Sequence, residues 1–199
     1  MIPCTGVILS GGLNSRFSGN NKAFFNIHNK RIIDYIYETF KSEFQDIILV
    51  TNDPISYFDL DLKIVTDLFP VRSALNGIYA GLFYIKTDYA FFTACDTPFL
   101  KKDMIKTIIS EIKVGIDIII PETSNGREPL CAVYSKRCLK PIKEQLEKNI
   151  FKVESFFNKV RVKKIPENIL REHDPDLISF YNINNPEILE KVKTWHLLT

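Results

Sequence analysis

The sequence predicts a three-layer α/β/α sandwich built on a mostly parallel sheet, and three observations carry that expectation. Short continuous apolar runs, such as Val7-Ile8-Leu9, Ile47-Ile48-Leu49-Val50 and Ala90-Phe91-Phe92-Thr93-Ala94, suit strands buried on both faces. Apolar stripes at helical spacing fall between them. Polar or glycine residues follow each run, as expected where ligands sit beyond the carboxyl ends of parallel strands.

Taken in order, Val7-Ile8-Leu9 forms the first strand and Ile32, Ile33, Ile36, Tyr37 and Phe40 mark the first helix. Strands over 47–50 and 63–66 follow, then a helix whose stripe is Leu75, Ile78, Leu82 and Ile85. Residues 90–94 make a strand ending at Cys95-Asp96, and Met104, Ile105, Ile108, Ile109 and Ile112 a helix leading to a strand at 117–120. Past Pro121 the rhythm loosens: strands are expected over 130–134 and 160–165, and helices over 139–146 and 188–192. Right-handed crossovers would place the helices on both faces. With no repeat, low-complexity tract or Pro/Gly linker, one domain spanning 1–199 is expected.

Composition narrows the function classes. The 199 residues are 45% hydrophobic and 25% charged, with a formal net charge of +2, too mild for a nucleic-acid or anionic-membrane binder. Lys101-Lys102 and the basic run over 159–164 are read as solvated faces, the latter alternating with valine like a strand with one wet side. No apolar stretch is long enough to span a bilayer, and the chain enters its first strand almost at once, so a cytoplasmic protein with no membrane partner is expected. Cys4, Cys95, Cys131 and Cys138 lack C-x-x-C spacing and read as small hydrophobes. His28, His173 and His196 are scattered and read as structural or surface residues.

A parallel sheet would bring Ser10-Gly11-Gly12, Thr51-Asn52, Asp67 and Asp96 to one rim. Gly11 and Gly12 can adopt positive φ and present backbone N–H groups to phosphate oxygens, while Arg16 and Lys22 add fixed positive charge. The stretch is neither a P-loop, which needs G-x-x-x-x-G-K-[ST], nor a G-x-G-x-x-G dinucleotide loop. Asp96, directly after its strand, suits Mg²⁺, which takes one or two carboxylates and fills its shell with water and phosphate oxygens. The competing reading of Asp96 is a helix cap or turn residue, and Asp67 and Asn52 each read more simply as turn residues.

Five segments in register give a resemblance. Leu9-Ser10-Gly11-Gly12 with Arg16 and Lys22 is similar to L-A-G-G-x-S-x-R-M-G-x-D-K of the molybdenum cofactor guanylyltransferases. Asp67 with Ser73-Ala74-Leu75-Asn76-Gly77 resembles that family's Asp and G-P-L-x-G, and Cys95-Asp96-Thr97-Pro98 its C-D-x-P. Gly126-Arg127-Glu128-Pro129-Leu130 with Ala132 and Tyr134 resembles G-R-x-x-P-L-x-A-x-Y, and Asn182-Ile183-Asn184-Asn185-Pro186-Glu187 resembles N-x-N-T-P-E. Asn14, Ser18 and Asn21 stand where the family has Ser, Gly and Asp, and Ser73-Ala74 where it has Gly-Pro.

The resemblance implies a Rossmann-like, nucleotide-diphospho-sugar transferase-like fold and a Mg²⁺-dependent enzyme that joins GMP from GTP to the phosphate of molybdenum-bound molybdopterin, releasing pyrophosphate. It implies that Leu9, Ser10, Gly11, Gly12, Lys22, Asn52, Asp67 and Asp96 bind the nucleotide, with Thr51 as the alternative to Asn52. Asp96 would bind the metal, Arg16, Lys22 and Asp96 would act in transfer, and Asn182 and Asn184 would lie by the pterin. Proteins that deliver the cofactor or mature molybdoenzymes would be its partners. Gly12 and Leu75-Asn76-Gly77 side with guanine rather than cytosine readers. A related transferase with another base or acceptor, and a non-catalytic GTP-binding module, remain the alternatives.

Overall fold

The computed structural model describes residues 2–11 and 21–195. Strand β1 (Cys4–Leu9) lies centrally in the sheet. A small antiparallel pair, β2 (Asn26–Ile27) and β3 (Lys30–Arg31), leads into α1 (Ile32–Glu43). Then come β4 (Ile47–Val50), β5 (Lys63–Val65), α2 (Ala74–Tyr84) and β6 (Tyr89–Ala94). They are followed by α3 (Lys102–Ser110), β7 (Ile118–Thr123), β8 (Gly126–Arg127), β9 (Cys131–Ser135) and α4 (Leu139–Glu147). The last elements are β10 (Val162–Pro166), α5 (Glu167–His173) and α6 (Pro186–Lys193).

Among the described residues the sheet runs in the order β10-β7-β9-β6-β1-β4-β5, with β8 pairing β7. β1 is parallel to both β4 and β6, and β4 to β5. β9 alone of the long strands runs antiparallel to its neighbours, β6 and β7, and β10 is again parallel to β7. The expected mostly parallel sheet is therefore observed, with its reversed strands, β9 and the short β8, in the looser half of the chain.

Alternation along the strands sorts the core into two layers. Ile8, Leu49 and Phe91 point to the face covered by α1, α3, α5 and α6, where Ile36, Phe40, Met104, Ile108, Leu170 and Leu189 are buried. Val7, Val50 and Phe92 point to the face covered by α2 and α4, through Leu75, Ile78, Leu82, Ile142 and Leu146. Each such side chain removed from water contributes about 1.5–3 kcal/mol before the entropy of ordering is subtracted. Gly81 lets α2 lie against the sheet, since a Cβ there would stand 2.7 Å from Phe92 Cε1 and 2.9 Å from Val7 Cγ1.

Several expectations are corrected. Residues 167–173, given no element from the sequence, form α5. The β2–β3 turn uses His28 and Asn29 at φ 47° and 65°, the left-handed pair that a two-residue hairpin turn requires, without a glycine. Lys101 is not merely solvated, because its Nζ lies 2.8 Å from Asp174 Oδ1, a fully buried carboxylate. Three cysteines are buried as expected, and Cys4 is half-buried.

Candidate active site

Four strand ends supply the site. Ser10 and Gly11 follow β1, Thr51 and Asn52 follow β4, Asp67 follows β5 and Asp96 follows β6. Because β5, β4, β1 and β6 are parallel neighbours, these positions gather along one rim. A cleft of ≈ 290 Å³ opens there, lined by Leu9, Gly11, Lys22, Asp67, Gly77 and Asp96 among others. Its Leu9 wall depends on Gly77 in α2, where a Cβ would come within 3.2 Å of Leu9 Cδ2.

Asp96 is 6% exposed. Its Oδ2 accepts a hydrogen bond from Lys22 Nζ, which the 3-10 turn over Lys22–Phe24 carries. Its Oδ1 is buried and has no hydrogen-bond partner among the described residues. The cap that begins α3 is Lys101, so the reading of Asp96 as a helix cap falls away. A buried carboxylate oxygen without a partner among the described residues, on a residue that lines a cleft, fits a hard divalent cation. Among the described residues no cluster of three or more His, Cys, Asp or Glu gathers for a metal.

Asp67 is partly buried, and burial pushes its carboxyl up, opposed by the Asn52 hydrogen bond and the nearby Arg72 charge. Asn52 is exposed and serves Asp67 twice: its Nδ2 donates to Asp67 Oδ2 at 2.7 Å, and its Oδ1 accepts from Asp67 N at 3.2 Å. Thr51 is buried and its Oγ1 accepts from Asp53 N at 3.1 Å. Of this pair, Asn52 is bonded to Asp67, which lines the cleft, and Thr51 closes a local turn.

Gly11 does not use the positive φ open to a glycine; among described glycines only Gly115 and Gly126 do. A Cβ on Gly11 would meet nothing within 4 Å, so what Gly11 leaves is open room at the cleft. Gly12 and Arg16 lie outside the described residues. Tyr57 was not foreseen. Fully buried, its hydroxyl bonds both Ser10 Oγ and Asn21 Nδ2, the latter at 2.7 Å, and so ties the end of β1 to the turn bearing Lys22. Asn21 Oδ1 also accepts from Ala23 N at 3.1 Å, capping that turn. Cys95 shares the cleft, but burial and the Asp96 charge push its thiol up to about 11, which disqualifies it as a neutral-pH nucleophile.

A second cavity of ≈ 270 Å³ abuts the first, sharing Ala94, Asp96 and Leu130 with it. Asn182 and Asn184 line it, and Ile183 N between them donates to the Asp96 carbonyl at 2.9 Å. The rest of that late motif is structural: Asn185 Oδ1 accepts from Ile188 N at 2.8 Å and Pro186 opens α6, a cap in front of a helix start. Glu128 also lines this cavity and was missed, as was Arg72 in the first. Glu128 lies between Arg127 and Pro129, where the family's motif specifies no residue type, so nothing in the sequence singled it out. Burial pushes its carboxyl up to about 7.

Two adjoining cavities meeting at one half-satisfied aspartate can hold a phosphate ester on one side and an anionic acceptor on the other. The family model described as "MobA-like NTP transferase domain" matches residues 6–162. The chain is 48% identical over 189 residues to "Molybdenum cofactor guanylyltransferase" of Desulfosudis oleivorans, covering 95% of this chain and 94% of that one. It is 38% identical over 194 residues to "Probable molybdenum cofactor guanylyltransferase" of Natranaerobius thermophilus, with 95% and 94% covered. Its fold is similar to the crystal structure of "Molybdopterin-guanine dinucleotide biosynthesis protein A" from Archaeoglobus fulgidus, with a TM-score of 0.84 and 26% identity over 95% of this chain and 96% of that one.

Proposed function

The chain belongs to the MobA-like NTP transferase family, and from that premise we propose that it transfers GMP from GTP to the terminal phosphate of molybdenum-bound molybdopterin, releasing pyrophosphate. The observation that carries this reading is the position of Asp96, which lines both cavities. GTP takes the cleft of Leu9, Gly11, Lys22 and Asp67, and the pterin takes the cavity of Asn182 and Asn184.

An acceptor phosphate oxygen attacks the α-phosphorus in line, and the bond to pyrophosphate breaks. The attacking phosphate is already an anion, so no general base is needed, and no side chain in either cavity is called on for one. Positioning and charge stabilisation supply the rate. Lys22 leaves Asp96 for the triphosphate, and Tyr57 holds Ser10 and the Lys22 turn in place. Asp96 Oδ1, with or without Asp67, would hold Mg²⁺, which when bound offsets the phosphate charges. Arg16 and Gly12 complete the phosphate contacts in this scheme. We take 1–199 as one working unit, acting in the cytoplasm, where proteins that deliver the cofactor and load molybdoenzymes would meet it. No helix among the described residues is long and apolar enough to cross a membrane.

The test pairs a thermal-shift panel of GTP, CTP, ATP and UTP with pyrophosphate release in the presence of Mg²⁺ and molybdopterin. GTP alone should stabilise and turn over. Preference for CTP would move the chain to the cytidylyl transferases. Stabilisation by GTP without pyrophosphate from the acceptor would make it a binding module.

A further inference from the structure

Glu128 stands half-buried at the second cavity with no side-chain partner among the described residues. Its backbone is pinned, with N donating to the Pro121 carbonyl at 3.1 Å and its carbonyl accepting from Cys131 N at 3.0 Å. The next residue is fixed too, since the Pro129 carbonyl accepts from Tyr134 OH at 2.8 Å. The carboxyl itself, half-buried at the second cavity, makes no hydrogen bond or ion pair among the described residues. Its neighbour Arg127 cannot neutralise it, being engaged by Glu122 at 3.2 Å and Glu154 at 2.9 Å. A half-buried carboxyl held on a rigid turn, without a partner among the described residues, is placed for a partner in the ligand.

The ligand chemistry follows from the donors it must supply. A carboxylate accepts through two oxygens and matches two N–H donors side by side. A pterin presents that pair on its pyrimidinone edge, a ring N–H beside an exocyclic amine. Phe180 adds an apolar wall to the same cavity, and Asn182 and Asn184 add amides able to donate and accept elsewhere on the ring. We propose that Glu128 reads the amine edge of the acceptor's pterin and so determines acceptor specificity. This rests on the acceptor reading above, with Glu128 as the contact that distinguishes a 2-amino ring from its 2-oxo counterpart.

The experiment compares two probes by fluorescence titration in Mg²⁺ without nucleotide: 6-hydroxymethylpterin monophosphate and the lumazine analogue with oxygen in place of the amine. The wild-type protein should bind the pterin probe roughly tenfold more tightly than the lumazine, the discrimination expected when a buried acceptor loses its donor. E128Q, which sets an amide N–H against the ring's donors, should bring the two within about twofold, while stabilisation by GTP stays as in wild type. E128D, with the carboxyl withdrawn by one methylene, should keep a reduced preference. Equal binding of both probes by the wild type, or an undiminished preference in E128Q or E128D, overturns the role of Glu128 and leaves the acceptor reading standing. If the wild type binds neither probe, the acceptor reading falls and this inference with it.

Discussion

Two aspartates, Asp96 and Asp117, are buried at opposite rims of the same sheet, 6% and 8% exposed. Asp117, just ahead of β7, has both oxygens engaged: it accepts from Arg161 N at 2.9 Å, from Ser135 Oγ at 3.2 Å and from Arg137 Nε. Asp96, just beyond β6, has Lys22 on one oxygen and, among described residues, nothing on the other. Burial pushes Asp117 up, but the Arg161 amide, Arg137 and Ser135 outweigh it and hold the carboxyl below its ordinary range. Equal burial thus serves two ends. A carboxylate with both oxygens bonded by the chain fastens the chain, and one left short keeps capacity for a ligand.

Substitutions at the two rims should separate these roles. The largest effect is expected from Asp96→Ala, which should lower pyrophosphate release by about 10³-fold or more, equivalent to about 4 kcal/mol of transition-state stabilisation. Its melting temperature should stay within a few degrees of wild type, because one of the lost oxygens made no bond. Normal turnover in that variant would erase the contrast. Next, Lys22→Ala should weaken GTP binding by calorimetry roughly 10- to 100-fold, the worth of a charge-assisted contact of about 1.5–3 kcal/mol; unchanged affinity would make Lys22 only a counter-ion for Asp96.

Asp117→Asn should do the reverse, leaving transfer untouched and costing about 1–2 kcal/mol in urea denaturation at pH 7. The sign of its pH dependence follows from the lowered carboxyl. The stabilisation is complete above the ordinary carboxylate value and is lost as pH falls through the depressed one. The gap between wild type and variant should therefore close in acid. A gap that persists there would mean that the bonds, not the charge, do the fastening.

Much of the framework was legible because apolar runs and stripes report burial directly. Ile47–Val50 and the Leu75, Ile78, Leu82 stripe stand where the pattern put them. Direction was harder to read: the run over 131–135 has the same apolar character whichever way it points, so the reversal of β9 was hidden. α5 is seven residues long with only Leu170 buried, too little for a stripe. In the candidate site, Asp96 could be found because it directly follows a strand. Tyr57 could not, since its reach to Ser10 and Asn21 joins points far apart in sequence. Glu128 resembled any charged loop residue until the cavity beside it was seen.

The hydrogen bond from Ile183 N to the Asp96 carbonyl gives one residue a hand in both chambers. A displacement of residue 96 on binding one substrate would reach the asparagine segment next door through that bond. Reciprocity then requires that each substrate tighten or loosen the other by the same factor. Equilibrium titrations of the pterin probe with and without a non-reacting GTP analogue should display that mutual influence. Independent affinities would mean that the tether is slack.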